Sequence, residues 1–427
     1  MHRRLLGSSF APLRHRGFAL LWTSSLVSNV GTWMQTVAVG ALVTERTGRA
    51  GWTALVAVAA FLPLGLLSPL GGAIADRTDR RRWLLAGNLV ETALAGGLAT
   101  LSATGRASPG AVTAMVFVAG CVAALMLPVQ QALVPDLVPA GEVLAASSLG
   151  MAQYNLGRVV GPALAAVVIG VGSFTLAFAV NAASFLVVVA ALVVLRVPPR
   201  PPAAPERLWR SISDGARVAW REPACRSAIA LISLAAFLLS PFIALVPAKA
   251  ALVSSGGAKA TAAVTGALTT AQGVGAVAGA LLVAPLAARL GRRRVIVASL
   301  VTTAAALCLY AVAPTPTTAV AALGAVGLVY IGVLTGLSTV VLVRAPEAYR
   351  ARVTSLFFVA LGTIYPVGAL VQGVLADRVG LADVTIGGAV VLAAVVAWLR
   401  VARPGFLATL DDRPSEPAVA PQPAPGV

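Results

Sequence analysis

The chain has 427 residues, of which 58% are hydrophobic and only 11% charged, and its mean hydropathy is +0.90. Because soluble globular proteins carry about 25% charged residues, this composition excludes a soluble domain and favours a protein that crosses a bilayer. The formal net charge of +17 does not indicate nucleic-acid binding, since the arginines cluster between apolar runs, as they do in cytoplasmic loops of membrane proteins.

Twelve apolar runs are predicted to be membrane-spanning helices. The runs are continuous, whereas strands of a membrane barrel would alternate apolar and polar residues. The first run is too long for the core of a signal peptide and is predicted to be a retained span. The predicted spans cover roughly residues 17–43, 52–75, 83–103, 110–134, 146–170, 174–196, 224–247, 262–288, 295–313, 318–342, 353–376 and 384–402.

The distribution of Lys and Arg predicts the orientation of these spans. With the N-terminus inside, 25 of the basic residues fall in inside segments and 6 in outside segments, among them Lys249. One more, Arg158, lies within span five. Because cytoplasmic loops carry an excess of basic residues, both termini are predicted to be cytoplasmic.

A polar segment, residues 197–223, divides the spans six and six. After a Pro-rich start, Leu208, Trp209 and Ile212 recur at helical spacing and predict an amphipathic helix on the inner membrane surface. The predicted units are an N-terminal six-helix bundle (1–196), the central loop (197–223), a C-terminal six-helix bundle (224–403) and a disordered Pro/Ala-rich tail (404–427).

A basic segment recurs in the two halves. Gly72–Arg81 follows span two and Ala284–Arg293 follows span eight, an offset of 212 residues that is close to half the chain. Parallel repeats of six helices are an architecture of secondary transporters, with the substrate site between the halves. The sequence therefore predicts an all-α membrane protein of two pseudo-symmetric six-helix halves.

The first basic segment predicts a conformational latch. A helix-end glycine, an acid and three arginines form it, namely Gly72, Asp76, Arg77, Arg80 and Arg81. A charge network that forms in one conformation and breaks in another can bias alternating access. The alternative is that the arginines only orient the spans, although Asp76 and Asp79 contribute little to orientation.

Span five carries small residues at four-residue spacing. Gly157, Gly161 and Ala165 form a stripe that lets another helix approach closely. Pro162 removes a backbone donor and favours a kink. The alternative is a tightly packed helix with no further role.

Both motifs resemble those of the major facilitator superfamily. The stretch "GAIADRTDRR" is similar to motif A, with Asp79 where the family has glycine, and its second copy has Ala288 for the acid. Residues Gly157–Ala166, with Arg158, Gly161 and Pro162, are similar to motif C of exporters, with alanines for the last two glycines. The phrases "SNVGTWMQTVAVGALV" and "QQALVPDLVPAGEVLAASSLG" resemble the branch of the bacterial enterobactin exporter and related secretion transporters.

This resemblance implies a twelve-helix transporter of the bacterial cytoplasmic (inner) membrane. It implies proton-driven efflux of a small molecule, such as a siderophore, drug or secondary metabolite, by alternating access. The expected partners are that molecule, protons and the lipid bilayer, with no nucleic acid, and the expected state is a monomer. The alternatives are an importer or lysolipid transporter of the same superfamily, and a non-transporting membrane sensor or scaffold.

Nothing in the sequence predicts an enzyme. No nucleophile–base pair or phosphate-binding loop occurs, and no cofactor is expected. The three cysteines are scattered, and both histidines lie in the N-terminal tail, so no metal site is predicted.

Two charges lie deep in predicted spans, where charged residues by default indicate function. Glu91 in span three is the candidate proton carrier, because burial and neighbouring charges tune the proton affinity of a carboxyl. Arg158 shares a helix face with Tyr154 and Asn155 and is a second candidate for proton coupling. It is either structural, satisfied by backbone carbonyls or by Glu91, or it faces the cavity and attracts an anionic group.

Other polar residues within the spans are candidates for lining a substrate cavity. They are Asn29, Trp33, Gln35, Gln130, Gln131, Asn155, Gln272, Tyr330 and Tyr365. Since few of the candidates are charged, they predict a cavity for a largely neutral or amphipathic molecule.

Overall fold

A computed structural model describes residues 9–197 and 208–411, except for the side chains of residues 73, 75–77, 208–214, 348 and 351. The side chains of Asp76 and Arg77, and the tail beyond Asp411, therefore lie outside the described residues. The same holds for the apolar side chains that predict the amphipathic helix.

The described residues form an all-helical protein. Twelve segments are long and apolar enough to cross a membrane, as the sequence predicts, and span seven comprises two helices. The helices are α1 (Arg16–Thr47), α2 (Ala50–Arg77), α3 (Arg80–Ala103), α4 (Pro109–Leu133), α5 (Val143–Val171), α6 (Phe174–Val194), α7 (Leu208–Arg221), α8 (Pro223–Leu238), α9 (Phe242–Val253), α10 (Gly257–Leu290), α11 (Arg292–Val312), α12 (Pro316–Arg344), α13 (Arg350–Val379), α14 (Leu381–Ala402) and α15 (Pro404–Ala408).

The two six-span halves share one packing scheme. In the first half, α2 packs on α4 and α3 on α6; in the second half, α10 packs on α12 and α11 on α14. Small residues permit the close approach, since a Cβ at Gly120 of α4 would lie 2.6 Å from the Ala59 carbonyl oxygen of α2. The basic segment thus recurs in the sequence at the same place in two halves that share one helix packing.

Two antiparallel helix pairs join the halves: α2 with α13, and α5 with α10. The first pair is in contact from Gly51 and Asp377 to Gly65 and Gly362. Within the described residues, no atom of a neighbouring helix lies within 4 Å of the Cβ position at Gly72, seven residues after Gly65 and on the same face of α2. The helices of this pair therefore diverge over the last turns of α2.

The second pair diverges toward the same end. Lys259 of α10 donates to the Gly170 carbonyl of α5 at 3.4 Å, and the helices remain in contact as far as Arg158 and Gln272. Beyond that point Met151 of α5 and Leu281 of α10 are exposed. The halves thus separate toward the arginine-rich end, defined by the loops around Arg77–Arg82 and Arg289–Arg294. They meet at the opposite end, defined by the α1–α2 and α9–α10 turns.

Three sequence predictions need correction. Span seven is not one helix, because α8 ends at Leu238 and Pro241 precedes α9. The tail predicted to be disordered from residue 404 begins with α15, and Leu410 is fully buried. Lys249, predicted to lie outside the spans, is buried in α9, where it donates to the carbonyls of Ala311 and Ala313 at the end of α11.

Candidate transport cavity

A cavity of about 380 Å³ lies between the two halves. It reaches Leu21, Leu84 and Leu192 near the arginine-rich end and is bounded at the opposite end by Gly40 and Pro247. Most of its wall comes from α1–α6, and the second half contributes residues of α9, α10 and α13. Six of the predicted site residues line it: Asn29, Trp33, Gln35, Glu91, Gln130 and Tyr365.

Four predicted cavity residues do not belong to the lining. Gln131 is exposed, because it follows Gln130 on a helix and points about 100° away. Asn155 is exposed and donates to the Met151 carbonyl of its own helix. Gln272 and Tyr330 are buried in packing contacts instead.

Tyr330 stabilises the break in span seven. Its hydroxyl lies 2.6 Å from the Ser240 hydroxyl, between α8 and α9, and its ring packs edge-on against Phe242. The hydroxyl of Tyr365, by contrast, is buried without a hydrogen-bond partner in the described part of the chain, and its residue lines the cavity.

Arg158 lies at the junction of three helices. Its guanidinium Nη2 donates to Gln272 Oε1 of α10 at 3.0 Å, and the guanidinium carbon lies 5.8 Å from the centre of the Trp33 ring of α1. Trp33 in turn packs edge-on against Tyr154. Arg158 is therefore bonded across the two halves, directly behind the cavity wall, rather than to Glu91.

Glu91 lies on the cavity wall in α3 and is only 6% exposed. Among the described residues, no hydrogen bond or ion pair to its carboxyl is formed. Asn88, one turn earlier and also buried, donates to the Leu84 carbonyl of its own helix. The Glu91 carboxyl is thus available to a proton or to a ligand in the cavity.

A buried polar cluster, Gln35, Asn181 and Ser184, connects α1 with α6. Asn181 is fully buried, donates to Gln35 Oε1 at 2.9 Å, and accepts from the Ser184 hydroxyl at 3.0 Å. The sequence interpretation missed Asn181, although an asparagine in the apolar run of α6 is a signal of its own. This cluster fixes the Gln35 side chain at the cavity wall.

Two arginines of the predicted latch, Arg80 and Arg81, connect helices of the first half at the arginine-rich end. Arg80 contacts Asp136 Oδ2 at 2.7 Å and donates to the Ala132 carbonyl, and Arg81 donates to the Leu192 carbonyl at the end of α6. Cations at helix C-termini are favourable, because the carbonyls there carry partial negative charge. Asp79 accepts from the Arg82 amide and caps α3.

This cap explains the departure at Asp79 from the family pattern. Its φ is −64°, so the turn does not require glycine, and aspartate is a favoured N-cap residue. In the second copy Gly291 takes this place, with φ +88°, and Asp411 accepts from the Arg293 amide at 3.3 Å. The tail thus supplies the helix cap that Asp79 provides in the first copy.

The glycine stripe of span five packs against α1. A Cβ at Gly157 would lie 2.9 Å from the Asn29 Cβ, and one at Gly161 would lie 2.5 Å from the Trp33 Cβ. Pro162 and Ala165 are buried in the same helix. The stripe therefore holds Asn29 and Trp33 at the cavity wall.

Asp377 at the end of α13 connects the two halves at the opposite end of the molecule. Its carboxylate accepts from the backbone amides of Ala50 at 2.6 Å and Gly51 at 3.2 Å, and Arg49 lies 3.4 Å away. These amides open α2 and have no partner within that helix. One half thus caps a helix of the other half.

A family model described as "Transmembrane secretion effector" matches residues 7–424. The chain belongs to this family. Membership confirms the resemblance to the major facilitator superfamily and shows a transporter rather than an enzyme.

The relatives of the protein include proteins that are named for efflux. The multidrug efflux pump Tap of Mycolicibacterium fortuitum is 24% identical over 371 residues, 85% of this chain and 90% of Tap. Macrolide efflux protein A of Streptococcus pyogenes is 24% identical over 182 residues, 42% of this chain, and the match spans 45% of that relative's length.

Solved transporters share the fold of this family member. The nucleoside transporter NupG superposes with a TM-score of 0.72 at 14% identity, covering 93% of this chain and all of NupG. A bacterial homologue of the human lysosomal transporter Spinster superposes with a TM-score of 0.69 at 16% identity, covering 93% and 97% of the two chains. These likenesses confirm the predicted fold class.

Proposed function

We propose that the protein exports small molecules from the bacterial cytoplasm by alternating access, in exchange for protons. The observation that carries this proposal is the cavity between the halves, which extends toward the arginine-rich end and is closed at the other. Basic loops mark the cytoplasmic side, so the cavity would load from the cytoplasm with both termini there. The protein would act as a monomer, because each chain holds a cavity of its own.

The names of two relatives favour efflux over import. Tap and macrolide efflux protein A are both named as efflux proteins, which favours a drug-like substrate or secondary metabolite. A siderophore would suit the same cavity only if its polar groups were largely masked, since Glu91 alone is charged among the described lining residues. An importer, a lysolipid transporter or a non-transporting sensor has no comparable support.

Proton coupling would pass through Glu91. Its carboxyl lies on the cavity wall and has no partner among the described residues, so binding and release of a proton would change the charge that a substrate meets. Arg158 would position the wall through Gln272 and Trp33 instead of carrying protons. The latch at Gly72, Asp76, Arg77, Arg80 and Arg81 would bias the closing of the arginine-rich end.

Two experiments test this function. In a strain lacking its own exporters, expression should lower the accumulation of at least one compound from a panel of dyes, macrolides and other antibiotics. In proteoliposomes, an imposed proton gradient should then drive that compound against its concentration gradient. Movement at the same rate without the gradient would contradict proton exchange, and the absence of any exported compound would contradict efflux.

A further inference from the structure

The cavity carries one charge in an otherwise neutral wall. Among its described lining residues only Glu91 is ionisable as an acid or base of ordinary strength, alongside amides, hydroxyls and apolar groups. Arg158 lies outside this lining and is bonded to Gln272. Glu91 is therefore the ionisable group that a ligand in the cavity meets directly, whereas the Arg158 charge lies behind Trp33.

The Glu91 carboxyl has no hydrogen-bond or ion-pair partner among the described residues. A buried ionised carboxylate is costly unless it is paired or hydrogen-bonded, and buried polar groups in proteins nearly always have partners. The Glu91 side chain is only 6% exposed, and none of the described residues donates a hydrogen bond to its carboxyl. A cation that enters the cavity would provide the missing partner.

The rest of the wall suits an apolar body attached to such a cation. Aromatic faces attract positive charge through their quadrupole and also bury apolar surface. The aromatic residues of the wall come from five helices and are Trp33, Phe61, Tyr154, Phe185 and Tyr365. Phe61 and Tyr365 pack edge-on across the seam between α2 and α13, with ring centres 5.8 Å apart.

Tyr365 adds a second unsatisfied group from the other half. It is 8% exposed, and its hydroxyl has no hydrogen-bond partner among the described residues. Glu91 of the first half and the ring of Tyr365 of the second thus line one cavity, and the enclosed Tyr365 hydroxyl would need only a small side-chain movement to meet a ligand there. A single ligand that engages both would bridge the halves.

From these observations we propose that the cavity binds amphipathic organic cations, with the positive group against Glu91 and the apolar body against the aromatic wall. The proposal rests on the proposed function and names its substrate class. Since one carboxylate holds either a proton or the cation, the two would exchange at the same site.

Tetraphenylphosphonium tests this inference, because it is a permanent cation with an apolar body. Its equilibrium binding is measured on the purified full-length protein in nanodiscs, with radiolabelled probe. Glu91→Gln should weaken binding at least about tenfold, because it removes the charge at nearly constant volume. Glu91→Asp, which keeps the charge, should bind more tightly than Glu91→Gln, and Glu45→Gln, at an exposed acid outside the cavity, should bind like the wild type.

Several results would overturn the inference. They are wild-type affinity in a monodisperse Glu91→Gln protein, an equal loss of affinity in the Glu91→Asp and Glu91→Gln variants, and no binding of tetraphenylphosphonium to the wild type.

Failure of the export proposal gives different results from failure of the cation inference. If the wild type exports the neutral dye Nile red but does not bind tetraphenylphosphonium, only the cation inference fails. If Glu91-dependent binding occurs without any gradient-driven transport, only the export proposal fails.

Discussion

Arg158 carries a charge in the middle of a membrane span, and its two contacts come from different helices. Gln272 of the second half accepts its hydrogen bond, and Trp33 of the first half lies under its guanidinium. A charge in this position is costly, so its partners determine whether the helix is stable in the membrane. Arg158 is bonded to Gln272 rather than to Glu91 or a backbone carbonyl, and it lies outside the cavity lining, behind the wall.

Replacing Gln272 tests this positioning role. Gln272→Leu removes the acceptor and leaves part of a charged group without a partner, which should destabilise the protein by ~1–3 kcal/mol. Gln272→Glu should preserve stability, because a carboxylate also accepts from guanidinium. Thermal unfolding of the detergent-solubilised protein measures both, with Gln131→Leu at an exposed glutamine of α4 as the control. Equal melting temperatures for Gln272→Leu and the control would contradict the role.

At the residue scale the sequence identifies charges but not their partners. Glu91 and Arg158 stand out because charges are rare in apolar runs. Gln272 is 114 positions away from Arg158, and only the crossing of α5 and α10 brings the two together. The prediction that Tyr330 and Asn155 line the cavity is wrong because polarity alone does not specify which face of a helix a residue occupies.

At the scale of elements, the ends of helices connect the parts of the molecule. Asp377 caps α2 from the other half, Asp411 caps α11 from the tail, and Asp79 caps α3 locally. The first amides of a helix need acceptors and favour negative charge. The cap by Asp377 differs from the others because it joins the two halves at the closed end.

Removing the charge of Asp377 should therefore favour opening of that end. Asp377→Asn keeps an acceptor but loses the interaction with the α2 terminus and Arg49, worth about 1 kcal/mol, or roughly a fivefold shift in population. Spin labels at Glu45 and Ser255, in a cysteine-free background, report the distance across the opposite end. The matched control is Asp383→Asn, in the first turn of α14.

The expected result is a larger fraction of long distances between the labels in Asp377→Asn than in Asp383→Asn. If both variants give the wild-type distance distribution, the cap does not hold the end closed. An equal shift in both variants would show a general effect of surface charge instead.

Most elements of this fold follow from the sequence because the bilayer imposes length and apolarity on each span. The sequence predicts all twelve spans on that basis, and among the described residues only span seven is interrupted. Its break at Pro241 was missed, since prolines also occur inside unbroken helices such as α5. The start of the tail was misjudged, because a Pro-rich composition hides the anchoring contacts of Leu410 and Asp411.

At the scale of the whole molecule, two seams control which end is open. The repeat of 212 residues predicts the two halves, but one sequence must encode both states of an alternating-access transporter, so it cannot predict which state is seen. Here α2 with α13 and α5 with α10 are joined toward the opposite end and separate toward the arginine-rich end. If the protein transports through this cavity, the closed end must open once in each cycle.

A disulfide across the closed end tests this requirement. A Cβ placed on Gly40 of α1 would lie 3.4 Å from the Cβ of Pro247 of α9, close to the separation found in disulfides, about 3.5–4.5 Å. The Gly40→Cys/Pro247→Cys pair, in a background without the three native cysteines, should therefore cross-link on oxidation. The two single variants show whether either substitution alone impairs transport.

The decisive measurement is gradient-driven transport of an exported compound by this double variant in proteoliposomes, before and after reduction. Alternating access predicts that the oxidised protein does not transport and that reduction restores the rate of the single variants. Transport by the fully cross-linked protein at the rate of the reduced protein would contradict the account, because the substrate would then pass without opening of the closed end.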